Sequence, residues 1–253
     1  MKKPDSGPLY SDARLYDLQH KNYMDDLQFY TTLYQETGGP VLELMAGTGR
    51  LSLPLAEMGA DVTALDYSQD MLELAEKKAR SKNITVHLVR ADCRTFNLNK
   101  TFKLIFIPFN SISHIHEQEA LAALFSRVSE HIAENGRFVI DLFVPDFKIL
   151  LRPDNQRYPV ASFDDQEKGR VYITETNKYD PATQINHIKW YYEIDGKKDS
   201  RILENNMRMF FPEEMKMLIN CNGFKIVDRF GGHNFSAFTK KSLKQLYVCA
   251  KNV

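Results

Sequence analysis

Through about residue 144 the apolar positions fall in short blocks separated by glycine-bearing turns, and beyond that they alternate with polar ones. Val41–Leu44 reads as a strand, the turn through Gly49 leads into a helix over 50–58, and Gly59 stops it. A second strand covers 61–65. Ser68 stands as the cap of the next helix, with Asp70 early and Lys77, Lys78 and Arg80 late, the charge order that suits the helix dipole. Strands follow at 84–90 and 102–109. Leu121, Leu124, Phe125, Val128 and Ile132 then share one helical face, Asn135-Gly136 ends that helix, and a strand covers 137–144. Repeated strand–helix units predict a parallel sheet covered on both faces.

The alternation in 159–211, clearest at Ile188, Trp190, Tyr192 and Ile194, predicts an antiparallel layer with turns at Asp180-Pro181-Ala182-Thr183 and Asp195-Gly196. A helix after Pro212 and strands over 224–230 and 245–250 return the chain to the first layer. Ahead of it all, 10–36 is rich in tyrosine and acids and carries a helical pattern at Leu27, Tyr30, Leu33 and Tyr34. The expected organisation is an N-terminal helical lid over 1–39, a cofactor-binding α/β domain over 40–154, an antiparallel β insertion over 155–211 on the substrate side, and completion of the α/β domain by 212–253.

Composition narrows the class. The chain has 253 residues, 43% of them hydrophobic, and a formal net charge of zero, which disfavours non-specific nucleic-acid binding. Cys93, Cys221 and Cys249 are too scattered for a metal cluster and read as reduced thiols. The polar start has no signal-peptide core and no apolar stretch reaches membrane-spanning length, so a cytoplasmic protein is expected.

The glycine turn carries the chemistry. Gly47-Thr48-Gly49 after a strand lets backbone approach a ligand, and Asp66 at the end of the next strand can accept from two ribose hydroxyls. Ser52 occupies the third glycine position of the dinucleotide fingerprint, so that match is incomplete. Glu43-Leu44-Met45-Ala46-Gly47-Thr48-Gly49, followed by Ala64-Leu65-Asp66-Tyr67-Ser68-Gln69-Asp70-Met71-Leu72, resembles motif I and its successor in class I S-adenosylmethionine-dependent methyltransferases. Ala91 to Phe96 resembles their adenine loop, Phe106 to Ser111 their fourth-strand segment, and Gly232 to Thr239 the final hairpin of the small-molecule branch, which includes sugar-amine and glycine N-methyltransferases. Met45 stands where the family has its first motif-I glycine.

The resemblance implies a Rossmann-like fold: a mostly parallel seven-stranded sheet with an antiparallel last strand. It implies S-adenosylmethionine as cofactor. Glu43 would orient the loop or meet the cofactor's amino group, and Ala46, Gly47 and Gly49 would approach its methionine part. Asp66, with Tyr67 beside it, would bind the ribose. Met71 would pack on the adenine, Asp92 would accept from its amino group, and the Cys93 N–H would donate to the ring. Phe109 would line the sulfonium side. Tyr16 and Tyr23, by their place in the N-terminal segment, are candidates to close over the cofactor or position substrate, and the alternative is that they pack the N-terminal helix.

Methyl transfer from a sulfonium is an in-line displacement that relies on positioning and exclusion of water. An amine acceptor needs only a place to lose a proton, whereas a hydroxyl needs a base or a metal. His114, His233 and Tyr16 are the catalytic candidates, His116 a lesser one; the alternative for each is a packing or hydrogen-bonded role. Trp190, Tyr191 and Tyr192 form either a substrate floor or an aromatic face packed on the core. No metal is expected: Asp141 reads as a buried strand carboxylate because no acidic–histidine cluster accompanies it. The expected acceptor is an amine or hydroxyl of a small metabolite, with no nucleic-acid or membrane partner, and exposed insertion strands could pair a homodimer. A nucleic-acid or protein methyltransferase, a nicotinamide oxidoreductase and a non-catalytic cofactor-binding module are the competing readings. Replacing Asp66 with Ala is expected to weaken cofactor binding by about 1.5–3 kcal/mol, the range for hydrogen bonds to charged groups. Unchanged affinity by calorimetry would remove Asp66 from the site.

Overall fold

The computed structural model describes residues 7–252. Helices α1 (Ala13–His20) and α2 (Leu27–Thr37) precede β1 (Val41–Leu44), α3 (Ser52–Glu57), β2 (Val62–Asp66), α4 (Gln69–Ser81), β3 (His87–Arg90), β4 (Phe102–Ile107), α5 (Gln118–His131) and β5 (Ile132–Phe143). The short α6 (Phe147–Leu150) leads to β6 (Tyr158–Asp165), β7 (Gly169–Asp180), β8 (Ile185–Ile194), β9 (Lys197–Glu204) and β10 (Met207–Arg208). Then α7 (Pro212–Cys221), β11 (Phe224–Phe230) and β12 (Lys244–Lys251) close the chain.

Seven strands form one sheet in the order β11-β12-β5-β4-β1-β2-β3. β12 is antiparallel to both neighbours, and the pairings among β1 to β5 are parallel. The parallel centre is what the strand–helix alternation implies, and the whole is the Rossmann-like sheet that the resemblance implies. The β1–β2–β4 centre is sealed by Val41, Val62, Leu104 and Phe106, with Tyr30 of α2 stacked 4.5 Å from the Phe106 ring. The cap of α4 is where its sequence puts it: Ser68 Oγ accepts from the Met71 N–H at 3.4 Å.

Two local expectations are corrected. Helix α5 stops at His131, and Ile132 is already in extended backbone, so Asn135-Gly136 lies inside β5 rather than at a helix end. Gly136 has a packing reason: a Cβ there would lie 2.9 Å from the Ala133 carbonyl and 3.1 Å from the Phe102 carbonyl of the neighbouring strand. The helix expected from residue 50 begins at Ser52, because residues 47–51 remain in turns.

The chain divides into two compact units. One contains the described residues up to Asn22, Ser113–His116 and Pro145–Met209; the other contains Tyr23–Ile112, Glu117–Val144 and the chain from Phe210 onward. The segment expected as one N-terminal piece over 1–39 is therefore split. α2 belongs to the core of the parallel sheet, whereas Leu9 and Leu15 pack with Val171, Ile173, Tyr192 and Leu203 of the antiparallel sheet.

That second sheet runs β10-β8-β7-β6, with β9 also on β8. Its Asp195-Gly196 hairpin has φ of 49° and 76°, the left-handed pair a two-residue turn requires. Asp165, its side chain fully buried, receives both Arg14 guanidinium nitrogens at 2.8 Å, and this pairing holds its carboxyl down at about 2. No helix among the described residues is long and apolar enough to cross a membrane. Phe106→Ala removes a fully buried ring from the parallel-sheet centre and is expected to cost about 3–5 kcal/mol in urea unfolding.

Candidate functional site

The carboxyl ends of β1 and β2 are joined through one side chain. Met45, Gly47 and Gly49 all have left-handed backbone, with φ of 58°, 57° and 76°. At Gly49 the requirement is doubled, because a Cβ would sit 3.0 Å from Leu53 Cγ. Met45 adopts a conformation that suits glycine, which explains why the related motif has glycine there and marks a strained position. Asp66 holds this turn: one carboxylate oxygen accepts from the Gly47 N–H at 2.7 Å and the other from the Ser68 N–H at 2.8 Å. Burial pushes the Asp66 carboxyl up, against the pull of the Ser68, Gly47 and Tyr67 backbone donors. A carboxylate has about four acceptor positions, so capacity remains for further donors.

Glu43 points beneath the turn, where Ser52 Oγ donates to it in a short hydrogen bond. Burial raises its carboxyl to about 8, opposed by Ser52 and Arg50. A neutral Glu43 joined to the start of α3 orients the loop. Ala46 is buried, and its N–H donates to the Leu65 carbonyl at 3.0 Å, fastening the turn to β2.

Beyond β3, Asp92 is committed to its own loop. Arg94 donates to its carboxylate through Nε at 2.8 Å, a terminal nitrogen at 2.6 Å and the backbone N–H at 2.9 Å. Burial works to raise this carboxyl, but those bonds hold it below the usual range. Asp92 was expected to offer a free acceptor, and its oxygens are instead occupied by Arg94. Cys93 is buried, which pushes its thiol up to about 12 and leaves it unreactive. Met71 is buried, while the neighbouring Tyr67 is exposed.

The end of β4 carries the second strained turn. Phe109 and Asn110 have φ of 54° and 61°. Asp141 of β5 secures them: its carboxylate accepts from the Phe109 N–H at 3.2 Å and its carbonyl from the Asn110 N–H at 3.0 Å. The same carboxylate receives His233 Nε2 and Lys244 Nζ, each at 3.0 Å. Burial pushes the Asp141 carboxyl up, but His233 and Lys244 together keep it below the ordinary range. Beside this, Arg50 is bidentate on the buried Asp26 at 2.6 and 2.7 Å, and its guanidinium lies 5.0 Å from the Tyr23 ring centre and 5.1 Å from that of Phe109.

An acidic–histidine cluster therefore does accompany Asp141, contrary to the sequence expectation. Ligand atoms of Asp26, Asp141 and His233 lie within 4.8 Å of one another. Folding assembles it from three distant segments, so no local spacing announces it. Arg50 and Lys244 balance its two carboxylates, which leaves no charge deficit for a cation to fill.

The other catalytic candidates are in the unit that holds the antiparallel sheet. His114 is half-buried and shares a 2.7 Å hydrogen bond with the Tyr10 hydroxyl through Nε2. Burial lowers its ring to about 4, so it is neutral at physiological pH. Tyr16 stacks edge-on to Tyr10 at 5.8 Å, so Tyr16 and His114 share one partner. His116 bonds the Asn206 carbonyl at 3.2 Å. Trp190 and Tyr192 pack with the apolar cluster of this unit, and Tyr191 takes the Arg157 guanidinium on its ring at 3.7 Å. Sequence reasoning missed Asp26, Arg50 and Tyr10. The Arg directly after the glycine turn was the one available signal.

Residues 41–136 match a family described as a methyltransferase domain. Over 213 residues the chain is 34% identical to the cypemycin N-terminal methyltransferase of Streptomyces sp, covering 83% of this chain and 82% of that one. Over 191 residues it is 31% identical to the dTDP-3-amino-3,6-dideoxy-alpha-D-glucopyranose N,N-dimethyltransferase of Streptomyces fradiae, covering 73% and 71%. Its fold matches the CcbJ methyltransferase of Streptomyces caelestis with a TM-score of 0.82 at 21% identity, over 100% of both chains.

Glu43 supplies a pH signature. A carboxyl raised in the folded state stabilises fully below its unfolded value of 4.5, and that contribution is lost as pH rises through about 8. Glu43→Gln is expected to flatten the decline of stability between these limits, as read by denaturant unfolding at several pH values.

Proposed function

From the membership of this chain in the S-adenosylmethionine-dependent methyltransferases, we propose that it methylates an amine nitrogen of a small metabolite. One observation carries the choice of nitrogen. Two relatives that are more than 30% identical and covered over two thirds or more of their length are named as an N-terminal methyltransferase and an N,N-dimethyltransferase of an amino-bearing glucopyranose. The 213-residue alignment is too long to be confined to the parallel-sheet unit, so the likeness includes part of the other unit.

The residues present fit the cofactor. Asp66 retains acceptor capacity for ribose hydroxyls after its two backbone bonds. The turn at Ala46, Gly47 and Gly49 presents backbone without obstructing side chains, and beside Gly49 a Cβ has no room. Once bound, S-adenosylmethionine supplies an electrophilic methyl on a sulfonium. Asp66 and Tyr67 hold the ribose end, and Met71 with the Cys93 backbone borders the base. Asp92 and Arg94 keep that loop in shape. Neutral Glu43 sets the turn through Ser52 rather than by ion pairing. Tyr23 and Phe109, fixed against Arg50, line the methyl-donor side and exclude water.

An amine acceptor must lose a proton. His233 is the better-placed base, because Asp141 orients its ring through Nε2 and turns Nδ1 away from the carboxylate. His114 is neutral and already bonded to the Tyr10 hydroxyl, which disfavours it as the base. The free cysteines and balanced charge suit a cytoplasmic enzyme of small molecules. With labelled cofactor and a panel of amines, His233→Ala is expected to lower kcat by about 10²–10⁴-fold with little change in cofactor affinity. Asp141→Asn is expected to shift the pH–rate profile. Full kcat in His233→Ala would exclude it as the base, and labelling of hydroxyls alone would overturn amine transfer.

A further inference from the structure

A buried imidazole in the parallel-sheet unit has no part in the site described above. His131 ends α5 at 3% exposure, and backbone groups meet both of its ring nitrogens. Nδ1 lies 2.7 Å from the Arg127 carbonyl, one turn back in the same helix, and can only donate to it. Nε2 accepts the Leu98 N–H at 2.8 Å. These partners place the ring proton on Nδ1. The Phe96 ring packs on the imidazole, with ring centres 4.6 Å apart.

Phe96 and Leu98 belong to the irregular stretch after β3, whose first residues the resemblance puts beside the adenine. That stretch is fastened at three points. At its start the Ala91 N–H donates to the Asp66 carbonyl at 3.0 Å. In its middle the Thr95 and Phe96 N–H groups donate to the Asp92 carbonyl at 3.0 and 2.9 Å, and Arg94 closes on the Asp92 carboxylate. At its end His131 holds Leu98 and Phe96. Thr95, Asn97 and Asn99 are exposed, whereas Cys93 and Phe96 are buried, so the shape of the stretch depends on its inward anchors. The first two anchors come from β2 and from the stretch itself. The third brings in a separate element, α5. An apolar ring would pack on Phe96 at lower desolvation cost, but it would offer the Leu98 N–H no acceptor.

We propose that His131 is a positioning residue for the cofactor, fixing the 91–98 stretch so that the Cys93 N–H meets the adenine ring. The inference rests on the reading above in which Cys93 borders the base. The two ring nitrogens divide the task. Nδ1 ties the imidazole to α5, and Nε2 ties the loop to the imidazole. Without the Nε2 acceptor the far end of the stretch is free, and binding the base must first order it at a cost in affinity. The glycine turn is held by Asp66 and by the Ala46 N–H on Leu65, so it keeps its shape when the adenine loop loosens.

The test uses the full chain and S-adenosylhomocysteine. Affinity is read by calorimetry, and loop order by amide hydrogen exchange of the saturated complex. His131→Phe keeps a ring against Phe96 and removes the acceptor, whereas His131→Gln carries an acceptor at about the place of Nε2. S-adenosylhomocysteine should bind His131→Phe at least tenfold more weakly than wild type, and His131→Gln within about threefold of it. The wild-type and His131→Gln complexes should protect both the 45–50 turn and the 91–98 stretch from exchange. The His131→Phe complex should protect the turn alone. If His131→Phe does not fold, His131→Asn carries the same expectations, since it keeps a donor for the Arg127 carbonyl and is too short to reach Leu98. Failure of both to fold overturns the proposal, because the ring then holds the domain and not the loop. Wild-type affinity in the variant without the acceptor overturns it, as does wild-type protection of 91–98 or loss of protection in both segments. A wild-type chain that does not bind S-adenosylhomocysteine overturns the cofactor reading and this proposal with it. A wild-type complex with the turn protected and 91–98 open overturns this proposal alone.

Discussion

A carboxylate taken out of water must be met by donors, and the architecture at the carboxyl ends of the parallel strands follows from that constraint. Asp66 meets it with backbone N–H groups from the turn after β1 and the cap of α4, which locks β1 to β2. Asp141 meets it with His233, Lys244 and the Phe109 N–H, which ties β4, β5 and the final hairpin to one point. Asp26 meets it with Arg50. Each bond made for solvation reasons also positions a group facing the candidate site.

The same constraint explains where strain is tolerated. Met45, Phe109 and Asn110 hold left-handed backbone without being glycine, and each lies in a turn fastened at several points. The hydrogen bonds over-determine these turns, so unfavourable dihedrals persist where backbone must approach a ligand. Glu43 shows the alternative response to burial: with Ser52 as its donor and no cation bonded to it, the carboxyl stays protonated. The antiparallel unit contains both outcomes. Asp165 is fully paired by Arg14, whereas the buried Asn177, Asn186 and Asn205 side-chain carbonyls are not paired at all.

Much of the fold is legible in the chain because the signals are local. The strand–turn–helix order, the Ser68 cap, the Asp195-Gly196 hairpin and the alternation at Ile188, Trp190 and Tyr192 depend on residues a few positions apart. Departures arose where the geometry adopted by neighbouring residues is not set by their order. Asn135-Gly136 looks like a helix stop, yet Gly136 lies inside β5, where a Cβ would crowd the Ile132 side chain, the Ala133 carbonyl and the Phe102 carbonyl of the neighbouring strand. Asp92 has the expected place after β3, but Arg94 two residues on takes its oxygens, and sequence order does not say which way an arginine folds.

The sequence alone determined the strand–helix alternation, the glycine turn and Asp66, hence the family and its cofactor, because a backbone-approach motif is written in contiguous residues. Only tertiary structure decided which histidine faces a carboxylate, that Asp26 and Arg50 brace Tyr23 and Phe109, and that His131 receives the Leu98 N–H. Those relations join residues up to two hundred positions apart (roughly the span from Asp26 to His233), and a pairing at that separation is set by packing of the whole domain, which no local pattern encodes.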